Sequence, residues 1–440
     1  MKKGLLLCSM NEESDFGGIE QLYQKVVLPN GVRVLTEEID YLRSAAIGIW
    51  VGAGSRYEKS GYEGISHFIE HMFFKGTKKR TARQLAESLE SVGGQLNAFT
   101  TKEMTCYYAK VLDEDIDLAI DVLSDMFFHS LFDPKEIEKE KNVVLEEVKM
   151  YLDTPDELIH DLFSQYIWNE HPLGMPILGD EGSIKSLDRD KIMDYLETQY
   201  CPDKIVISAA GKIKHDHIGK SLEQFGSFER QKEVSVYCHP VAKVIRTSMP
   251  KDTEQMHLVL GVPGIGQNDE DMYALHVINN ILGGGLSSRL FQEIREQRGL
   301  AYSVYSYHAT YVDTGLFAVY AGASPGNIEE VIKCILHEIN GIRSKGLSEE
   351  ELRRVVAQIK GNLYLGMESS SSIMSRLGKT ELSFDRVKTA EETVEKLEKV
   401  TLKDIDRVME RLWHKDKVSM LTIGSKEFTP DFDQIINAQF

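Results

Sequence analysis

A chain of 440 residues that is 42% hydrophobic and 27% charged has the balance of a folded globular protein, not of a disordered or fibrous one. At about 150 residues per domain its length suggests two to four domains. The formal net charge of −18 argues against nucleic acid as a partner, because phosphate binding needs a basic face to displace counterions.

The opening MKKGLLLCSM has a basic start, but its apolar run of about four residues falls short of a secretory signal, so residues 1–23 read as a disordered extension. From Gln24, KVVLPNGVRVLTEE is a strand, a Pro-Asn-Gly turn and a second strand, and SAAIGIWVGAG is a buried strand ending in glycines. YEGISHFIEHMFF has apolar residues at helical spacing. TARQLAESLESVGG is a second helix with Leu85, Leu89 and Val92 on one face and Gly93 and Gly94 as its stop. Strand-like QLNAFTTKEMTCYYAKVL follows, then the amphipathic helix DEDIDLAIDVLSDMFFHS. A further helix opens with Asp133 as cap, Pro134 as first residue and Glu136 in capping-box position, and runs through EIEKEKNVVLEEVKMYL.

The second half repeats this order. QMHLVLGVPGIG matches SAAIGIWVGAG, ALHVINNILGG matches SHFIEHMFFKG, SSRLFQEIREQRGLAYSV matches TARQLAESLESVGGQLNAF, and LSEEELRRVVAQIKGNL matches FDPKEIEKEKNVVLEEV. The expected organisation is therefore two homologous halves, 24–225 and 247–440, joined by a linker over 226–246. Each half mixes hairpin-like strands with segregated helices, which predicts an α+β fold with a mainly antiparallel sheet in each half and helices packed on it. Five cysteines with no CxxC pair argue against a disulfide framework and fit a reducing compartment. No stretch approaches the roughly 18 apolar residues of a membrane span, so the expected location is cytoplasmic.

The chemistry concentrates in HFIEH. On a helix, His67 and His71 project from one face about one turn apart, a spacing that lets two imidazoles bind one zinc. Glu70, three after His67, can reach a water in the open position of such a metal and act as general base; this is the inverted zincin pattern HxxEH. A catalytic zinc wants a third, distant ligand, and NVVLEEVKMYL offers two adjacent glutamates. At 100° per residue Glu147 lies about 60° from Val144, on the core-facing stripe of Val144 and Val148, whereas Glu146 points about 160° away; Glu147 is the inward one. Glu140, seven residues earlier and within about 20° of the same direction, either orients a histidine ligand or is one of a run of solvated helix charges. In the second half His67 aligns with Leu275, Glu70 with Ile278, His71 with Asn279, Glu140 with Val355 and Glu147 with Asn362, so the scaffold does not need those polar groups for packing.

HFIEH, with EKNVVLEE some seventy positions on, resembles the pitrilysin/insulinase family of zinc metallopeptidases, and within it the mitochondrial and bacterial processing peptidases. The likeness runs from about Gln24 over nearly the whole chain. It implies one Zn2+ per chain held by His67, His71 and Glu147, Glu70 as base acting on a zinc-bound water, and Glu140 behind the ligands. It further implies that GGGLSSRLFQEIREQRGLAY lends Arg295 and Tyr302 to substrate binding, and that Asn97, Ala98 and Phe99 of GGQLNAFTTKE form an edge strand that pairs with an extended substrate. The expected activity is a metalloendopeptidase acting on unfolded peptides or presequence-like segments, with the two halves closing as a clamshell and with a homodimer or a homologous partner chain. The alternatives are a non-catalytic core or partner subunit on the same scaffold, and a zinc hydrolase acting on a non-peptide bond.

Overall fold

The computed structural model describes residues 22–169, 171–230, 238–426 and 430–439. The expected extension over 1–23 lies outside them except for its last two residues, and so does 231–237 within the expected linker.

The strands β1 (Gln24–Val27), β2 (Arg33–Glu38), β3 (Ser44–Val51), β4 (Gln95–Thr100), β5 (Thr105–Leu112) and β6 (Ile205–Gly211) form a six-stranded sheet in the order β1-β2-β6-β3-β5-β4. In the second half β7 (Arg246–Pro250), β8 (Met256–Pro263), β9 (Ala301–Thr310), β10 (Gly315–Ala323) and β11 (Ser419–Gly424) form a sheet in the order β7-β11-β8-β10-β9. With β1 set aside the two orders correspond strand for strand, which is the internal repeat seen as topology. Both sheets are mixed: β2 pairs with β6, and β7 with β11, in parallel, while every other pairing between named strands is antiparallel.

One face of the first sheet carries α1 (Ile65–Phe73), α2 (Ala82–Glu90), α3 (Ile116–His129) and α4 (Pro134–Leu152). Ile47, Ile49, Phe68, Phe73, Leu85, Leu89, Leu123 and Val144 pack there as one core. Asp133 caps α4 as expected, accepting from Lys135 N at 2.7 Å; Glu136 does not close a capping box but receives Lys139 Nζ at 2.5 Å.

The other face of each sheet is covered by the opposite half. Leu158, Ile159, Phe163, Ile167 and Trp168 of α5 (Pro155–Trp168) join Val259, Leu316, Ala318, Leu421 and Ile423 of the second sheet in one buried cluster. In return, Ile373, Met374 and Leu377 of the helix Ser370–Phe384 join Leu35, Ala46, Trp50, Cys106 and Val206 of the first. Gly378 makes this contact possible, because a Cβ there would meet Trp50 Nε1 at 2.1 Å. Burial on both faces explains why β3 and β10 read as continuous apolar runs rather than as alternating strands.

Candidate metal centre

α1 is fixed at its start by a carboxylate. Gly64, the residue before the helix, has φ +86°, and a side chain there would run into Leu178 O, so the chain turns into α1 on glycine. The buried Glu58 accepts from Gly64 N at 2.8 Å and Ser66 N at 2.9 Å, satisfying amides that begin the helix. Burial pushes the Glu58 carboxyl up to about 7, against the pull of those bonds and of Lys102. From this anchored end Ile65, Phe68, Ile69, Met72 and Phe73 face the core, leaving His67, Glu70 and His71 on the flank.

α4 crosses that flank. Val144 and Val148 are buried as the helical phase required, and Glu147 turns toward the histidines. Its two oxygens stand 3.8 Å from His67 Nε2 and 3.7 Å from His71 Nε2, and the three ligand atoms lie within 4.8 Å of one another. Tetrahedral zinc with bonds near 2.1 Å separates its ligands by about 3.4 Å, so Glu147 stands within a few tenths of an ångström of that separation from each histidine. His67 supports the same conclusion: its Nε2 is turned toward Glu147 but lies beyond hydrogen-bond reach of it. Two imidazoles and a carboxylate, converging with unmet polar demand, fit a borderline metal such as zinc.

The two histidines differ in electrostatics. Burial, reinforced by the neighbouring His71, lowers His67 to about 4, so it is neutral, the ligating form. Burial also pulls His71 down, but the Glu140 carboxylate on its Nδ1 at 2.8 Å, with Glu147 and Glu70 nearby, carries it above the ordinary value. Glu140, left between two readings by the sequence, is 3% exposed and bonds His71 with Oε1 and Lys75 with Oε2, the latter at 2.6 Å. Burial opposes its ionisation, and those two bonds more than compensate, holding it below the usual carboxylate range. It fixes the His71 ring so that Nε2 faces Glu147.

Glu70 stands beside the three candidate ligands and outside their set. Its Oε2 accepts from Thr100 Oγ1 at 2.5 Å, and burial raises its pKa despite that bond. Thr100 ends β4, the outer strand of the first sheet, paired only with β5. Along β4, Leu96, Ala98 and Thr100 face the metal helices, while Phe99 turns to the other face against Trp50 and Tyr108. The Ala98 amide is occupied by its neighbour's side chain, Asn97 Oδ1, at 2.8 Å. Thus Asn97, Ala98 and Phe99 lie on an open edge beside Glu70.

Arg295 and Tyr302 are not brought to this cluster. Arg295, on the π-helical segment Phe291–Gln297, lies over the rings of Phe291 and Tyr302 at 4.7 and 4.8 Å, and Tyr302 on β9 is 76% exposed. Sequence reasoning missed Thr100, Lys75 and Glu58. Thr100 is two positions after Ala98 on the same strand face and Lys75 is four after His71, so spacing pointed to both; Glu58 in an irregular loop gave no such signal.

The counterpart positions in the second half carry no histidine or carboxylate. Leu275, Ile278 and Val355 are buried there, with Asn279 and Asn362 in place of His71 and Glu147. Residues 33–181 match the Insulinase (Peptidase family M16) model, and residues 186–359 match the Peptidase M16 inactive domain. An uncharacterized zinc protease of Bacillus subtilis (strain 168) is 45% identical over 395 residues, 90% of this chain and 97% of that protein. The chain belongs to peptidase family M16. Another of its relatives, an uncharacterized zinc protease of Streptomyces coelicolor, is 38% identical over 394 residues, 88% of this chain and 86% of its own length. The fold is that of a protease from Helicobacter pylori, with a TM-score of 0.85 at 20% identity over 91% of this chain and 99% of that one. No helix among the described residues is long and apolar enough to cross a membrane.

Proposed function

We propose that this M16 protein is a zinc-dependent endopeptidase that cleaves extended peptides or presequence-like segments, with one zinc per chain on His67, His71 and Glu147. The observation that carries the reading is the position of Glu70: beside the three ligands, not among them, raised in pKa by burial, and tied through Thr100 to an open strand edge. Bound zinc supplies Lewis acidity, lowering the pKa of a water and polarising a carbonyl. Glu70 takes a proton from the attacking water and returns it to the leaving amine, work suited to a carboxylate that burial raises above its ordinary value. Thr100 orients Glu70, and Glu140 holds His71. Asn97, Ala98 and Phe99 align the peptide by strand addition, which reads backbone more than side chains.

Arg295 and Tyr302 bind substrate in this reading, an exposed cation and phenol delivered by closure or by a second chain, either a copy or a homologue. The division into 24–225 and 247–440 follows from the repeat, and a cytoplasmic location is supported by Cys106, Cys201, Cys238 and Cys334, none of which forms a disulfide among the described residues. The test compares wild type with Glu70→Gln for bound metal and for cleavage of a quenched basic peptide of about 15 to 20 residues. Both should carry about one zinc per chain, and the variant should lose about 10²- to 10⁴-fold in kcat. Equal cleavage by the variant would remove Glu70 from the chemistry, and a metal-replete protein without zinc would remove the site.

A further inference from the structure

Behind the edge strand, on the face away from the metal helices, lies a groove of about 520 Å³. Phe99 and Tyr108 form its floor, and its walls come from the end of the helix Glu349–Gly366 and the start of the helix Ser370–Phe384. In a chain with 69 acidic and 51 basic residues, no carboxylate lines it; Arg376 and Lys379 do. Arg376 is committed, donating to Lys388 O at 2.8 Å and Thr393 Oγ1 at 2.9 Å, with Glu391 and Glu37 near its charge. Lys379 is not. Ser371, Ser375 and Lys379 recur at every fourth residue, so they form one stripe along the helix, and their side chains have no hydrogen bond or ion pair among the described residues.

The equivalent place in the second half shows that the fold does not require this opening. There α5 covers the second sheet, and the His160 ring fills the gap, bonded to Tyr307 Oη at 2.8 Å and Tyr305 Oη at 3.1 Å and lying 5.2 Å from the Tyr320 ring. The carboxylates of Asp161 and Asp156 lie near it, with His257, and Asp161 is 4.0 Å from Lys102 Nζ. One locus is closed and flanked by acid, while the other is open and basic.

Strand addition explains what the open one receives. Side chains of a strand paired to β4 alternate as those of β4 do, one set toward Glu70 and the other toward the groove beside Phe99. We propose that this groove is a specificity pocket for an acidic side chain of the bound peptide, with Lys379 as counter-charge and Ser371 and Ser375 as hydroxyl donors. It rests on the peptidase reading for the orientation of the strand, and it adds a preference that backbone pairing alone does not give.

The experiment uses full-length Glu70→Gln protein loaded with zinc and a series of labelled extended peptides in which one residue at a time is Glu or Gln. Binding is followed by fluorescence anisotropy. At one position, or at positions two apart, the Glu peptide should bind about 3- to 10-fold tighter than its Gln partner. Lys379→Ala should erase that ratio while leaving the Gln peptides unchanged, and Lys379→Glu should invert it. Absence of any Glu preference, its survival in Lys379→Ala, or failure to bind any peptide overturns the proposal. Turnover of the same peptides by wild type separates the two claims. Binding preference without cleavage sinks the peptidase reading alone, and cleavage without preference sinks the groove alone.

Discussion

Glu140→Gln tests whether the acid behind His71 serves the metal or only the fold. The carboxylate is 3% exposed and takes His71 Nδ1 at 2.8 Å on one oxygen and Lys75 Nζ at 2.6 Å on the other. Glutamine fills the same space but offers one acceptor and one NH2, so one of the two donors meets another donor. A hydrogen bond to a charged group contributes about 1.5–3 kcal/mol, and the lower end applies because the Lys75 side chain, 30% exposed, recovers hydration. Metal-free stability should therefore fall by about 1.5–2 kcal/mol. Zinc affinity should fall further, since loss of a partner that orients a ligating histidine costs about 10- to 100-fold, or about 1.4–2.7 kcal/mol. Competition against a fluorescent zinc chelator measures the second quantity, and denaturant unfolding in excess chelator measures the first. A variant that is less stable but binds zinc as tightly as wild type would refute the orienting role.

Glu58 gives a pH signature. Its folded pKa of about 7 lies above the ordinary value, so the folded state keeps a proton that the unfolded chain releases. Its contribution is present at acid pH and is lost as pH rises through about 7, a change on the order of 3 kcal/mol. The stability of wild type relative to Glu58→Gln should decline between pH 5 and pH 8, and a flat difference in melting profiles would discard the assignment. Arg56→Met attacks the junction of the halves, where a guanidinium 2% exposed bonds Glu103 at 2.6 Å and Asp313 at 2.7 Å. Glu103 keeps the Val312 amide and Asp313 keeps His239 in the variant, so loss of the shared cation should cost about 3 kcal/mol in urea unfolding, and a loss below about 1 kcal/mol would show the bridge to be replaceable. Asn97→Ala frees the Ala98 amide, so the KM of an extended peptide should drop by a few-fold, in line with about 0.5–1.5 kcal/mol for one hydrogen bond. A KM that rises would make Asn97 a substrate contact in its own right.

The parts of this structure that follow a period were legible in the sequence. Helical phase alone chose Glu147 over Glu146, and the structure has Glu147 facing both histidines while Glu146 pairs outward with Lys149 at 2.8 Å. The repeat foretold two sheets of matching strand order, because each half must bury its own amphipathic helices. What escaped depends on contacts between distant segments. Glu136 has the spacing of a capping box, but Lys139 one turn along takes its carboxylate instead. The bond from Thr100 to Glu70 joins residues 30 positions apart. Glu58 lies in a loop with no hydrophobic period to place it, and the exchange of helices left only an indirect trace, the unbroken apolar runs of β3 and β10.

That exchange explains how one duplicated scaffold carries a candidate metal site, among the described residues, in its first half alone. The face of each sheet that bears its own α1-type and α4-type helices is free to vary, since among the described residues its core cluster is drawn from its own half; that face holds His67, Glu70, His71 and Glu147 in the first half and Leu275, Ile278, Asn279 and Asn362 in the second. The opposite faces are not free. Pulling the halves apart would expose Trp50, Met374 and Leu377 on one side and Phe163, Ile167 and Trp168 on the other, each at about 1.5–3 kcal/mol for a fully buried side chain. It would also break the Arg56 bridge. Surfaces that move around a bound peptide must therefore lie outside these two contacts; the open edge of β4 meets that condition, whereas the basic groove, walled by the helix Ser370–Phe384, belongs to the fixed contact.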